Sequence, residues 1–195
     1  TFITIVILVY GFSVNAQDNV TVNKGLFSSL KGTQISTYYD FVNKESGDVL
    51  NDGEFYFYGD YSNDGLFSYS TNSTTGYVVF EGKNQNQQKI SGNSPSFFYD
   101  VLFNKQGQDF AFQLTNEIET KGIVNLHDGV VYVDKDLGGA FVFLKGSNHI
   151  NTSDDSYIDG EVLKIGNESF KYPIGNSGYY RFASISAPTA VASQY

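Results

Sequence analysis

Glu117 and Glu119 are spaced for acid–base work between two carboxylates. In an extended segment residues two apart share a face, about 6–7 Å from each other. That lies at the edge of the gap across which two carboxylates hydrolyse a glycosidic bond. The plainer reading is a solvated strand face with Ile118 turned inward, and we adopt it. Asp134 and Asp136 obey the same arithmetic and receive the same reading. The two histidines, His127 and His149, flank loops, and His127 sits in Leu-His-Asp-Gly, a turn between strands. No Gly-x-Ser-x-Gly elbow or His-Glu-x-x-His pair accompanies them. Asp48, Asp52, Asp60 and Asp64, with Asn51 and Asn63, are oxygen-bearing residues of the kind that line Ca²⁺ loops. Their spacing matches neither an EF-hand nor the calcium β-roll nonapeptide. Capping of backbone N–H groups at corners is the expected role. Tyr56 and Tyr58 fall on the face opposite Phe55 and Phe57, and Tyr38 alternates with Tyr39. Such rings can stack on sugars and reach their hydroxyls, but stacked rungs also form aromatic ladders for packing alone, and packing is the reading we adopt. No catalytic, cofactor-binding or metal-binding residue is assigned on these grounds, and no cofactor is expected.

The elements that must carry these residues are short. From Ser46 to Tyr69 glycine falls at every sixth position: Gly47, Gly53, Gly59 and Gly65. Asn-Asp-Gly recurs at Asn51–Gly53 and Asn63–Gly65, and apolar or aromatic runs fill the intervals. Glycine and Asn/Asp supply corners, with positive φ expected at Gly53 and Gly65. So tight an interval excludes helices and predicts an all-β coil of short strands, a β-solenoid or β-helix. Candidate strands are 34–42, 54–58, 77–81, 97–103, 110–114, 122–126, 130–134 and 140–145, with 72–76, 84–92, 105–108, 127–129 and 136–139 as turns. The pairs Phe55/Phe57, Phe110/Phe112 and Phe141/Phe143 each place two rings on one strand face, read as core. A β-sandwich is the competing architecture. From Ser153 the rhythm breaks, and a C-terminal β cap or small β unit is expected over 153–195, after a coil over 17–152.

Composition narrows function. The 195 residues are 41% apolar, with 17 Phe and 15 Tyr and with no Cys, Met or Trp, so thiolate chemistry and disulfides are excluded. The net charge is −9 and Arg181 is the one arginine, which argues against nucleic acid and anionic membranes as partners. Residues 1–16 are a continuous apolar run ending in small residues. With Val14 and Ala16 at the −3 and −1 positions it reads as a signal peptide, with Gln17 as the first mature residue. A buried first strand is the rival reading. A Thr start without a basic segment suggests a clipped N-terminus, and the end at Tyr195 suggests truncation there as well.

One stretch resembles a known group. Ser156-Tyr-Ile-Asp-Gly-Glu-Val-Leu-Lys-Ile-Gly-Asn-Glu-Ser-Phe-Lys-Tyr-Pro-Ile-Gly175, followed by Gly178-Tyr-Tyr-Arg-Phe182 and Ile185-Ser-Ala-Pro188, is similar to a segment of large secreted surface proteins of the Bacteroidota. Gly76–Gly92 resembles a rung of the same proteins. The resemblance implies a secreted or cell-surface β-solenoid of the adhesin-like, type IX secretion and gliding-associated kind. The function expected is a non-enzymatic structural or adhesin-like module of a longer exported protein, with extracellular glycans or cell-surface components as partners. The alternative is a carbohydrate-binding or polysaccharide-degrading β-helix, with Lys164 or Arg181 as the candidate base of a lyase. Arg181 itself is expected to pair with Glu161 or Glu168.

Overall fold

Short strands separated by corners wind this chain into three parallel sheets. The computed structural model describes residues 19–82, 86–105, 110–187 and 189. The expected signal segment, 1–16, lies outside them. The first sheet stacks β1 (Val20–Asn23), β4 (Asp40–Asn43), β7 (Tyr61–Asn63), β10 (Gln88–Ser91), β13 (Phe112–Leu114), β16 (Val131–Val133) and β19 (Ile158–Asp159). The second stacks β2 (Leu26–Ser29), β5 (Asp48–Asn51), β8 (Leu66–Ser68), β11 (Ser96–Phe98), β14 (Glu117–Thr120), β17 (Ala140–Phe143) and β20 (Val162–Lys164). The third stacks β3 (Gln34–Thr37), β6 (Glu54–Phe57), β9 (Tyr77–Phe80), β12 (Asp100–Asn104), β15 (Ile123–Asp128) and β18 (Asn148–Ile150). Successive strands visit the three sheets in turn, so the chain is an all-β solenoid of about six turns.

Alternation along each strand turns every second residue into the prism. Phe57, Phe80 and Phe103 stand opposite one another in register. Their rings stack with centroids 5.4 and 5.5 Å apart. Phe41, Tyr61, Ile90 and Leu114 form the matching column on the first sheet. Each such side chain contributes roughly 1.5–3 kcal/mol by leaving water. Tyr61 is wholly buried, which pushes its phenol pKa up, and its hydroxyl shares a hydrogen bond with Ser96 Oγ at 2.8 Å.

Several expected boundaries are corrected. The run 34–42 is two strands, β3 and β4, bent at Tyr38-Tyr39, and 97–103 is divided between β11 and β12 at Tyr99. Residues 84–92, read as a turn, contain β10. Phe110 precedes β13 instead of lying in it; it is 46% exposed and meets the Tyr132 ring edge-on. Gly53 and Gly65 do not have positive φ. They are corners for another reason: a Cβ on Gly65 would stand 2.2 Å from Gly47 O, and one on Gly53 would stand 2.5 Å from Thr33 O. Glycine is needed because the backbone of the preceding rung occupies the space.

The segment from 153 holds the last solenoid strands, β19 and β20, and then two antiparallel pairs. These are β21 (Phe170–Tyr172) with β24 (Ala183–Ile185), and β22 (Gly175–Asn176) with β23 (Tyr179–Tyr180). The second pair turns through Ser177 and Gly178, at φ 54° and 79°, the positive values a tight two-residue hairpin requires. Phe170 packs its ring 5.0 Å from that of Phe143 at the end of the solenoid core.

Candidate binding face

The corner carboxylates are committed to backbone. Asp40 Oδ1 accepts from the N–H of Asp60 at 2.9 Å, and Asp60 Oδ1 accepts from that of Lys89 at 2.9 Å. Asp64 Oδ1 accepts from the Asn93 N–H at 3.1 Å and from Asn93 Nδ2 at 2.8 Å. Burial alone would raise the pKa of Asp52, but Ser70 donates to it from Oγ at 2.6 Å and from N at 3.0 Å, and the carboxyl is held below its usual range. Each aspartate thus caps an N–H of a later rung, as expected of Asp at corners. Asn51 and Asn63 point the other way, into the prism, and are buried. Among the described residues no three His, Asp or Glu side chains converge as metal ligands.

Glu117 and Glu119 do flank an inward, fully buried Ile118. Burial raises the pKa of Glu119, and the neighbouring Glu117 carboxyl raises it further. Asp134 and Asp136 are not on a strand face: Asp134 caps the 3₁₀ turn Lys135–Leu137, and Asp136 lies within it. His127 is exposed near the end of β15, not in a turn. It lines a cleft of about 650 Å³ with Phe110, Asp128, Asp154 and Tyr157. His149 is half-buried against Phe143 and Phe170, and burial lowers its pKa; its Nε2 lies 2.5 Å from Lys171 O.

Of the two candidate lyase bases, one is enclosed and the other exposed. The Lys164 side chain is 1% exposed; its Nζ donates to Leu144 O at 2.8 Å, lies 3.5 Å from Glu168 and covers the Phe170 ring at 5.3 Å. Burial lowers its pKa. A side chain so enclosed cannot meet a polymer. Arg181 lies over the Tyr179 ring at 5.4 Å. Its expected partners are engaged elsewhere: Glu161 pairs with Lys135, and Glu168 with Lys164.

What the fold assembles on one surface is a set of tyrosines. Alternation sends Tyr56 and Tyr77 outward from the third sheet, and Tyr38 and Tyr58 follow β3 and β6 at its border. The rings of Tyr38 and Tyr58 are 6.5 Å apart, and Tyr38 is 63% exposed. Tyr77 stands opposite Glu54 on one side and Asp100 on the other. The Tyr56 hydroxyl donates to Glu54 Oε2 at 2.7 Å; that bond first, and burial second, push its pKa up to about 12. Gln34 Nε2 donates to the same oxygen at 2.8 Å. Burial and then Glu81 raise the pKa of Tyr58, and Asn104 Nδ2 donates to Glu81 Oε1 at 3.3 Å. Burial and the carboxylates around it raise that of Tyr77. The result is a row of phenols interleaved with Glu54, Glu81 and Asp100. Sequence alternation identified Tyr56 and Tyr58; Tyr77 joins them only because β9 stacks on β6, which no local pattern encodes.

The fold defines the class, a three-sided β-solenoid with a C-terminal antiparallel cap. No family model, no curated protein and no solved structure matches the chain. Among the described residues no helix is long and apolar enough to cross a membrane, which leaves strands out of account.

Proposed function

We propose that this chain is a non-enzymatic structural and adhesin-like module of a longer exported protein, secreted or held at the cell surface, of the kind the Bacteroidota resemblance implies. The observation that carries this reading is the third-sheet face, where tyrosines from separate turns of the coil stand with carboxylates on an open surface. An array repeated along a stack suits contact with an extended partner more than turnover of a small molecule. Its rings offer amphipathic contact area, with a polar tip on an apolar body. The apolar 1–16 segment, with its small residues at −3 and −1, supports export. Extracellular glycans or other cell-surface components are the partners this chemistry favours.

The test pairs binding with turnover. Purified protein is incubated with whole cells and with a panel of immobilised polysaccharides, and soluble reducing or unsaturated ends are measured alongside. Retention without product release is the expected result. Sustained release of oligosaccharides would overturn the reading in favour of the polysaccharide-degrading alternative.

A further inference from the structure

We infer that the outward face of the third sheet binds a polysaccharide that carries free amino groups, its sugar rings against the tyrosines and its ammonium groups beside Glu54, Glu81 and Asp100. This rests on the reading of the chain as a surface-binding module and names the ligand class of its face. Charge chooses the ligand. The six strands of the third sheet contain no lysine or arginine, and Glu54, Asp100 and Asp128 belong to them, with Glu81 directly following β9. A polyanionic glycan would meet like charge at each of these carboxylates. A neutral glycan would cover them without a counter-charge: the bonds they accept from Tyr56, Gln34, Asn104 and the Ile123 N–H are from neutral donors, and an ionised group without a cation is costly to remove from water. A chain bearing ammonium groups supplies that charge and keeps the stacking.

The placement of rings and carboxylates suits such a chain. Tyr77 lies between Glu54 and Asp100, and Tyr58 borders Glu81. Neighbouring strands are about 4.8 Å apart, so ring and carboxylate alternate at intervals shorter than the reach of one sugar's substituents. The carboxylates already orient the phenols, through Tyr56 to Glu54 at 2.7 Å, so little order remains to be imposed on binding. Val79 pairs in register with Tyr56 on this same side of the sheet and is buried there, an apolar spot beside the rings. A lysine-rich peptide would meet the same charges, but it has no ring face to lay against the row of tyrosine rings.

The experiment is titration calorimetry of the intact chain at low ionic strength and mildly acidic pH. The probes are a glucosamine oligomer, its fully N-acetylated counterpart of equal length, oligolysine and polygalacturonate. The expected result is binding of the amine form about tenfold or more tighter than the acetylated form, weakened by added salt. Tyr38→Ala with Tyr58→Ala, and separately Glu54→Gln with Glu81→Gln, are each expected to weaken it about tenfold, with melting temperatures recorded as the check on folding. Equal affinity for the acetylated oligomer would overturn the amine assignment and leave the binding module intact. Oligolysine binding as tightly, and insensitive to the tyrosine pair, would overturn it in favour of simple charge attraction. Retention on cells without affinity for any of the four probes would also overturn it. Turnover of a polysaccharide would instead strike the functional reading on which it rests.

Discussion

Asn43 does at the first corner what no aliphatic side chain can do. Fully buried, it donates to Asn63 Oδ1 at 2.8 Å, Leu66 O at 2.9 Å and Gly47 O at 3.1 Å, and it accepts from Asn23 Nδ2 at 2.9 Å. Asn63 continues the ladder to Pro95 O at 3.0 Å and Ser96 Oγ at 3.2 Å. Corner carbonyls face the interior here, and each would cost about 1–3 kcal/mol if left unpaired. Asn43→Leu is therefore expected to destabilise the chain by about 3 kcal/mol or more, against less than about 0.5 kcal/mol for the exposed Asn72→Leu, in urea unfolding. The next corner, after β5, carries a pH dependence on its outer face. The carboxyl of Asp52 is held low, so its contribution is present above the ordinary aspartate value and is lost as pH falls through the folded one. Thermal melts between neutral and strongly acidic pH should show a shallower acid loss in Asp52→Asn than in the parent; parallel curves would assign the acid sensitivity to other groups.

At the scale of the element, the glycine interval records contact between rungs. Gly65 leaves no room for a Cβ against Gly47 O and Lys44 O, whereas a Cβ on Gly25 would meet nothing within 4 Å. Gly65→Ala is expected to destabilise by at least about 1–3 kcal/mol through forced displacement of the stacked corner. Gly25→Ala should be neutral or slightly stabilising, and equal melting of the two variants would contradict the packing explanation. The terminal element closes on a charge pair. Lys164→Met leaves Leu144 O and Glu168 without their cation and should lower the melting temperature. Adding Glu168→Gln is expected to recover part of that loss, because the second change removes the stranded charge. No recovery would mean that the lysine acts mainly through its stem packed on Phe170.

Across the whole molecule, stability is carried by neighbouring turns. Each of the strands β1–β20 pairs only with the turn before and after it, so cooperativity in the coil passes along one dimension. Phe80 lies mid-stack and meets the rings of Phe57, Tyr61, Phe98 and Phe103. Phe80→Ala is expected to cost about 3–5 kcal/mol. It should also weaken the coupling between the two halves, so that amides of β1–β6 and of β13–β18 exchange at separate rates. One shared rate after the substitution would show that the solenoid unfolds as a single unit despite the cavity.

The sequence alone determined the class of fold. Where corners carry minimal loops, between Ser46 and Tyr69, the glycine interval and the Asn-Asp-Gly repeat are local and regular, and periodic backbone constraints are legible in one dimension. It also determined the inward faces, since alternation fixes that Phe55, Phe57, Phe141 and Phe143 turn to the core. Beyond Tyr69 the insertions between β8 and β9, around β10 and before β13 hide the repeat, so from sequence β10 reads as a turn and Phe110 as core. Tertiary structure decided everything that depends on which turn lies above which. It showed that Gly53 and Gly65 serve close approach and not positive φ, that Lys164 is enclosed, and that Arg181 lies over Tyr179. It also gathered Tyr38, Tyr56, Tyr58 and Tyr77 on one face with Glu54, Glu81 and Asp100. The physical reason is register: residues 20 or more apart meet through backbone hydrogen bonds between rungs, and irregular loops set that offset differently at each turn.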